Sequence, residues 1–191
     1  MPDISGLGTL QTTEPLDLPQ YKQTQEFRLP RKGRYILRSP ESFPATAFGA
    51  TREGYLSAQI DPTIVGPTNE GFKVRFTYLS AKQYRQSGQM VSQIGLYLKA
   101  CGINSRVEGT PQEQADAIEK TAGSTFRADL DWVAENRATG FKLRGMENFP
   151  KLESGDYQSW VEDPNEKNED GTSKRLRANL VVSRYVAADN K

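Results

Sequence analysis

Basic and aromatic side chains alternate through GFKVRFTYLSAKQY, residues 71–84 of the chain. In a regular strand, Lys73, Arg75 and Thr77 would face one way. The apolar side chains would face the other way, toward a core: Phe72, Val74, Phe76 and Tyr78. Cations neutralise phosphate groups and exposed rings stack on unpaired bases, so such a strand could bind nucleic acid. A plain amphipathic strand with solvated charges would give the same pattern.

The same combination of side chains recurs around Arg34 and along FKLRGMENFPK, residues 141–151. Rings in less regular segments are freer to stack than rings inside a strand, which favours Tyr35, Tyr84 and Phe149. The predicted nucleic-acid-binding residues are Arg34, Tyr35, Lys73, Arg75, Tyr78, Lys82, Tyr84, Arg127, Lys142, Arg144 and Phe149. Charge is also segregated along the chain, because residues 72–100 contain no acid although the net charge is only +1.

Two carboxylates, Asp129 and Asp131, share one face of the strand-like RADLDW and could hold Mg²⁺ in a nuclease. Exposed charges beside Arg127 would explain them without a metal. The chain has no histidine, which excludes Ser-His and Cys-His catalysis and His-ligated zinc. The single cysteine, Cys101, follows an apolar helical pattern and is predicted to be a buried small hydrophobe. We therefore expect no catalytic residue, no metal and no cofactor.

Hydrophobic periodicity predicts the elements that would position these residues. A first strand is expected at 34–39, and strands at 55–60 and 72–81 form a predicted hairpin. Two helices follow, one capped by Ser92 or Ser87 and one beginning with a capping box of Thr110 and Glu113. Further strands are expected at 124–136, 140–146 and 175–188.

This order of elements predicts a mainly β fold. The prediction is an OB-like five-stranded antiparallel barrel with a helical insertion, about 90–122, between the third and fourth barrel strands. A β-sandwich is the alternative, although it usually has more strands and no central helical insert. Residues 1–25 are predicted to form a flexible arm, residues 26–188 the OB-fold domain, and residues 153–171 an acidic loop or mobile hairpin tip. Neither a membrane span nor a signal peptide is predicted.

Several segments resemble a group of bacteriophage-encoded single-stranded-DNA-binding proteins with an OB-fold. They are YLSAQIDPTIVG, GFKVRFTYLSAKQY, IGLYLKACG, TAGSTFRADLDW, FKLRGMENFPK and RANLVVSRYVA. The resemblance implies binding of single-stranded DNA without base specificity or cofactor, during phage DNA replication or recombination, in the cytoplasm of the infected bacterial host. Phage or host replication and recombination proteins, and further copies of the chain, are candidate protein partners.

A different class of protein is also compatible with these patterns. A phage structural or assembly protein built on a β-barrel would use its basic strands to contact other protein chains. Such a protein would form stable oligomers and would show no salt-sensitive affinity for DNA.

Overall fold

The structure is a computed structural model that describes residues 29–66, 68–103, 109–136, 138–144, 151–152 and 159–188. The predicted arm, residues 1–25, and the predicted stacking residue Phe149 lie outside this part of the chain. None of the described helices has the length and apolar character needed to cross a membrane.

Strands dominate the fold, and every strand pair is antiparallel. The strands are β1 Gly33–Arg38, β2 Phe48–Ala50, β3 Leu56–Gln59, β4 Thr63–Val65, β5 Tyr78–Ser80, β6 Tyr84–Gln86, β7 Gln89–Val91, β8 Thr125–Asn136, β9 Phe141–Arg144, β10 Lys151–Leu152, β11 Ser159–Lys167 and β12 Ser173–Val186. The helices are α1 Gln93–Ala100 and α2 Pro111–Glu119, and a single 3-10 turn covers Ala45–Ala47. The prediction of a mainly β fold with helices inside residues 90–122 is confirmed.

The strands form three sheets. The largest runs in the order β10-β11-β12-β8-β1-β4, and β9 also pairs with β8. The second runs β2-β3-β5, and β6 pairs with β7 in a separate hairpin. Burial alternates without interruption from Leu56 to Val65, so β3 and β4 behave as one bent strand that links the first two sheets.

Local capping explains where both helices begin. The Ser92 hydroxyl accepts a hydrogen bond from the Gly95 amide at the start of α1. At the start of α2, Thr110 and Glu113 form a reciprocal capping box, with Pro111 at a position where its missing amide costs nothing. Both caps were predicted from the sequence.

The core lies between the sheets and is closed by α1. The Tyr97 ring of α1 packs edge-on against Phe126 of β8, with ring centroids 5.2 Å apart, and against Tyr185 of β12 at 5.9 Å. Alternate β8 side chains are buried, as the period of two predicted: Phe126, Ala128, Leu130, Trp132 and Ala134. Cys101 is half-buried against this core, and burial raises the pKa of its thiol to about 11.

The hairpin of the second and third predicted strands exists, but its second strand is not regular. Thr63 faces Lys73 and Gln59 faces Tyr78, so four steps along one strand match five along the other. The extra residue forms a bulge at Arg75 and Phe76, where Phe76 has a left-handed φ of +60°.

The bulge inverts the predicted faces of the strand beyond it, because one added residue turns every later side chain to the other side. The prediction that Phe76 and Tyr78 point inward is therefore wrong, since both are exposed. Thr77, predicted to face outward, is buried. Val74, which precedes the bulge, is buried as predicted.

The acidic segment was predicted to be a loop over residues 153–171, and this is wrong for Ser159–Lys167, which form β11. Residues 153–158 lie outside the described chain. The acids of β11 face the basic start of β12: Glu162 lies opposite Arg175, and Asp163 lies opposite Lys174. These cross-strand charge pairs stabilise β11, although its own residues taken alone predict a loop. Among the described residues of the segment, only the turn at 168–172 matches the predicted hairpin tip.

Candidate nucleic-acid interface

The strand register brings basic side chains together on the solvent side of the largest sheet. In β1, Arg34 lies opposite Asp129 of β8, and Asp129 also lies opposite Arg184 of β12. Directly paired residues of an antiparallel ladder point to the same face. One transverse row therefore contains a cation, a carboxylate and a second cation.

Neighbouring rows extend this surface toward the hairpin. Arg38 of β1 lies opposite Thr63 of β4, and Thr63 is bridged to Lys73. Arg127 lies opposite Ile36, one row away from Arg34. We call this surface the basic face and define it by six exposed cations: Lys32, Arg34, Arg38, Lys73, Arg127 and Arg184.

Two half-buried carboxylates lie within the basic face, and each is paired with a cation. Arg34 Nε donates to Asp129 Oδ1 at 2.8 Å, and Lys32 Nζ lies 3.2 Å from Asp131 Oδ2. The hydrogen bond from Arg34 lowers the pKa of Asp129, and the charge of Arg184 acts in the same direction. The hydrogen bond to Asp129 in turn raises the pKa of Arg34.

Three of the remaining cations of the face are less compensated. Arg38, Lys73 and Arg184 make no ion pair within 4.0 Å with any described residue. The face thus combines fixed positive charge with long side chains that are free to reorient, which suits a flexible polyanion.

Of the predicted binding residues, Arg34, Lys73 and Arg127 belong to the basic face. Lys142 lies in β9, opposite Glu135 near the end of β8, and its Nζ is 3.6 Å from that carboxylate. Tyr78, 56% exposed, lies on the solvent side of the hairpin that carries Lys73. Arg75 is exposed at the bulge itself.

Other predicted residues lie elsewhere. Tyr35 is in the regular strand β1, half-buried on the core side, and its hydroxyl donates to the Arg31 carbonyl at 2.7 Å, contrary to the expectation of a free ring. Lys82 lies beyond β5 and pairs with Glu53 at 2.7 Å. Tyr84 is exposed in β6, outside the basic face. The side chain of Arg144 is outside the described part of the chain.

Three members of the basic face are absent from the sequence-based set: Lys32, Arg38 and Arg184. Arg38 could have been found, since it lies four residues from Arg34 in the predicted first strand and therefore faces the same side. Arg184 could not, because a bulge in β12 between Val182 and Arg184 sets its direction. The alternation of RLRANLVVSRYV gives no sign of that bulge.

The nuclease hypothesis needs Asp129 and Asp131 to meet a further acid. Across the described residues, no group of three or more Cys, Asp or Glu side chains is arranged to hold a metal ion. Instead, each of the two carboxylates is engaged by a cation of the basic face.

An exposed aromatic lies where the hairpin bulges. Phe76 is 46% exposed, and the guanidinium carbon of Arg177 from β12 lies 5.4 Å from its ring centroid. This is within the range of a cation–π contact. It connects the irregular strand of the hairpin to the last strand of the chain.

Comparison of the chain with protein-family models finds no match, and comparisons with curated proteins and with solved structures find none either.

Proposed function

We propose that the protein binds single-stranded DNA through the basic face, without base specificity and without catalysis. The observation that carries the proposal is the basic face itself: six exposed cations on or beside adjacent strands, with two carboxylates among them in the described part of the chain. Neutralising phosphates releases condensed counterions, and this release supplies most of the free energy of binding that ignores base sequence. Exposed rings beside such cations add stacking on unpaired bases.

We further propose that the strands form an OB-like barrel. Counting β3 and β4 as one bent strand, the strand order is β5, β3/β4, β1, β8 and β12. If these five strands are numbered by their position along the chain, their spatial order is third, second, first, fourth and fifth. Both helices lie between the third and fourth strands. The order supports an OB-like path, in which the face of strands two and three and the adjoining loops bind oligonucleotides. Lys73 and Tyr78 lie on that face.

The biological setting follows the resemblance described above. We propose a role in phage DNA replication or recombination, in the cytoplasm of the infected bacterium. Other replication and recombination proteins, and further copies of the chain, are its candidate partners.

The test is a fluorescence titration of the full chain with oligo-dT at several salt concentrations. We expect the affinity to fall as salt rises. The triple variant Arg38→Ala, Lys73→Ala, Arg184→Ala should bind more weakly. Its log–log salt slope should be flatter by about two units, since each phosphate contact on a single strand contributes about 0.7.

The matched control removes three cations from other surfaces: Lys82→Ala, Lys99→Ala and Lys120→Ala. It changes the net charge equally, so it should keep most of the affinity and the slope if the basic face is the site. Equal loss in both variants would contradict the proposal. Stable oligomers with no salt-sensitive DNA affinity would favour the assembly-protein alternative, and cleavage of DNA with Mg²⁺ would favour a nuclease.

A further inference from the structure

Phe76 occupies a conformation that is costly for a bulky residue. Its φ of +60° lies in the left-handed region, where an L side chain with a Cβ is disfavoured. The ring is nevertheless 46% exposed, so core packing does not explain why a phenylalanine stands there. Backbone strain of this kind is concentrated at binding and catalytic sites, where the orientation of one side chain matters.

Arg177 holds the ring from a distant part of the chain. Its guanidinium carbon lies 5.4 Å from the ring centroid, and it belongs to β12, whereas Phe76 precedes β5. The contact therefore fixes an exposed ring against a strand that is not its hydrogen-bonded neighbour. With a cation over one face of the ring, a base would stack on the opposite face.

The residues around Phe76 are of the types that contact phosphates and bases. Arg75, next to it, is exposed, and Tyr78, two residues later, is 56% exposed. Lys73 of the basic face precedes the bulge in the same strand. Two cations that can reach phosphates are thus followed along the chain by two rings that can reach bases.

From this geometry we infer that Phe76 is a base-stacking residue and that Arg177 is its positioning residue, so that the bulge selects unpaired bases. This inference rests on the proposed function and adds a determinant of the class of nucleic acid bound. A base in a duplex already has both faces covered by its neighbours, so it cannot stack on Phe76. A base in a single strand can do so, whatever its identity.

The test compares three probes of equal length: oligo-dT, an abasic oligonucleotide with the same phosphates, and a dA·dT duplex. The variant Phe76→Leu keeps an apolar side chain and the same backbone position but removes the ring. We expect its affinity for oligo-dT to fall roughly 5- to 150-fold, which corresponds to one stacked base. Its affinity for the abasic probe and for the duplex, and its salt slope, should stay unchanged.

To test the positioning role of Arg177, the measured quantity must not depend on the charge of the side chain alone. Arg177→Lys keeps the charge but loses the planar group that lies over the ring. It should lower the preference for oligo-dT over the abasic probe. In the Phe76→Leu background the same substitution should have no further effect on that preference, because the two residues act as a unit. Tyr55→Leu, which removes a similarly exposed ring elsewhere, is the matched control.

Separate outcomes overturn the two proposals. If the wild-type chain binds no single strand at low salt, the proposed function fails and this inference fails with it. If the wild type binds but Phe76→Leu keeps the full preference for oligo-dT over the abasic probe, only the inference fails. It fails too if Phe76→Leu loses affinity for both probes equally, or if Tyr55→Leu has the same effect.

Discussion

Arg34 and Asp129 face each other across β1 and β8, with Nε 2.8 Å from Oδ1. The basic face therefore contains its own counterion. Arg184 lies on the other side of the same carboxylate. The carboxylate holds two arginines in register and at the same time competes with any external anion for them.

This competition predicts a gain of function on removing the acid. Asp129→Asn should tighten oligo-dT binding and steepen the log–log salt slope by about 0.7, because one more cation becomes available to a phosphate. Stability should fall by no more than about 1 kcal/mol, as expected for an ion pair at the protein surface. Fluorescence anisotropy across a salt series measures both the affinity and the slope.

Glu53→Gln is the control for that experiment, since it frees Lys82 outside the basic face. It should change the affinity much less than Asp129→Asn does. Weaker oligo-dT binding by Asp129→Asn would show that the carboxylate orients the arginines more than it competes for them.

The bulge at Phe76 predicts an unusual order of stabilities. Phe76→Gly should be more stable than Phe76→Ala by about 1 kcal/mol, because glycine adopts a positive φ without the Cβ penalty. Both variants lose the ring, so the difference isolates the backbone. Urea unfolding at equilibrium measures it.

At the neighbouring residue, Arg75, we expect the opposite order of stabilities. Arg75 has no positive φ, so Arg75→Gly should be less stable than Arg75→Ala. If glycine is the less stable replacement at both positions, then Phe76 does not hold the left-handed conformation in solution.

The buried hydroxyl network around Tyr97 predicts a stability loss with a specific rescue. The Tyr97 hydroxyl lies 2.7 Å from Ser39 Oγ and 2.6 Å from Thr121 Oγ1. Tyr97→Phe should lower the free energy of unfolding by about 1–3 kcal/mol, because buried Ser39 loses its partner. Thr121 keeps its bond to the Ile118 carbonyl.

Adding Ser39→Ala to Tyr97→Phe should recover part of that loss, since the orphaned hydroxyl is then gone. Denaturant unfolding of both single variants and the double variant completes the cycle. Strictly additive losses would mean that the two hydroxyls do not interact.

Asp163 predicts a specific response to acid. Burial opposes its ionisation, but hydrogen bonds from the Asn165 amide, Thr139 and Asn136 prevail, so the pKa of Asp163 lies below its usual value. Its contribution to stability is therefore present above the usual carboxyl pKa of about 4 and is lost as the pH falls through the lower folded-state pKa.

Asp163→Asn should accordingly be less stable than wild type near neutral pH, and the gap should close as the pH falls from about 5 to about 2. Thermal unfolding across that range measures the gap. Glu162→Gln, which changes an exposed neighbour in β11, should leave the curve nearly parallel to wild type. A gap for Asp163→Asn that stays constant with pH would contradict the assignment.

The parts of the fold that were predictable from the sequence are those determined by neighbouring residues. The cap at Ser92 and the capping box at Thr110 and Glu113 are local hydrogen-bond patterns, so the sequence reveals them. The long alternation of β8 likewise identified its buried face. Arg34 and Arg127 were therefore placed correctly on the solvent side of the sheet.

The parts that were not predictable depend on distant partners. Nothing near Phe76 signals an inserted residue, because the bulge is defined only by the pairing of Thr63 with Lys73 and of Gln59 with Tyr78. The strand β11 depends on cations more than ten residues away in β12. Arg184 joins the basic face only because β12 bulges beside β8.

The six cations and two carboxylates of the basic face leave a surplus of four positive charges, although the whole chain carries only +1. The near-neutral net charge of the chain therefore conceals a strongly positive surface. An approaching polyanion would be attracted to this surface before touching it, so association would be faster than the net charge alone predicts. Isoelectric behaviour would give no hint of this local charge, whereas the ionic-strength dependence of the association rate would reveal it.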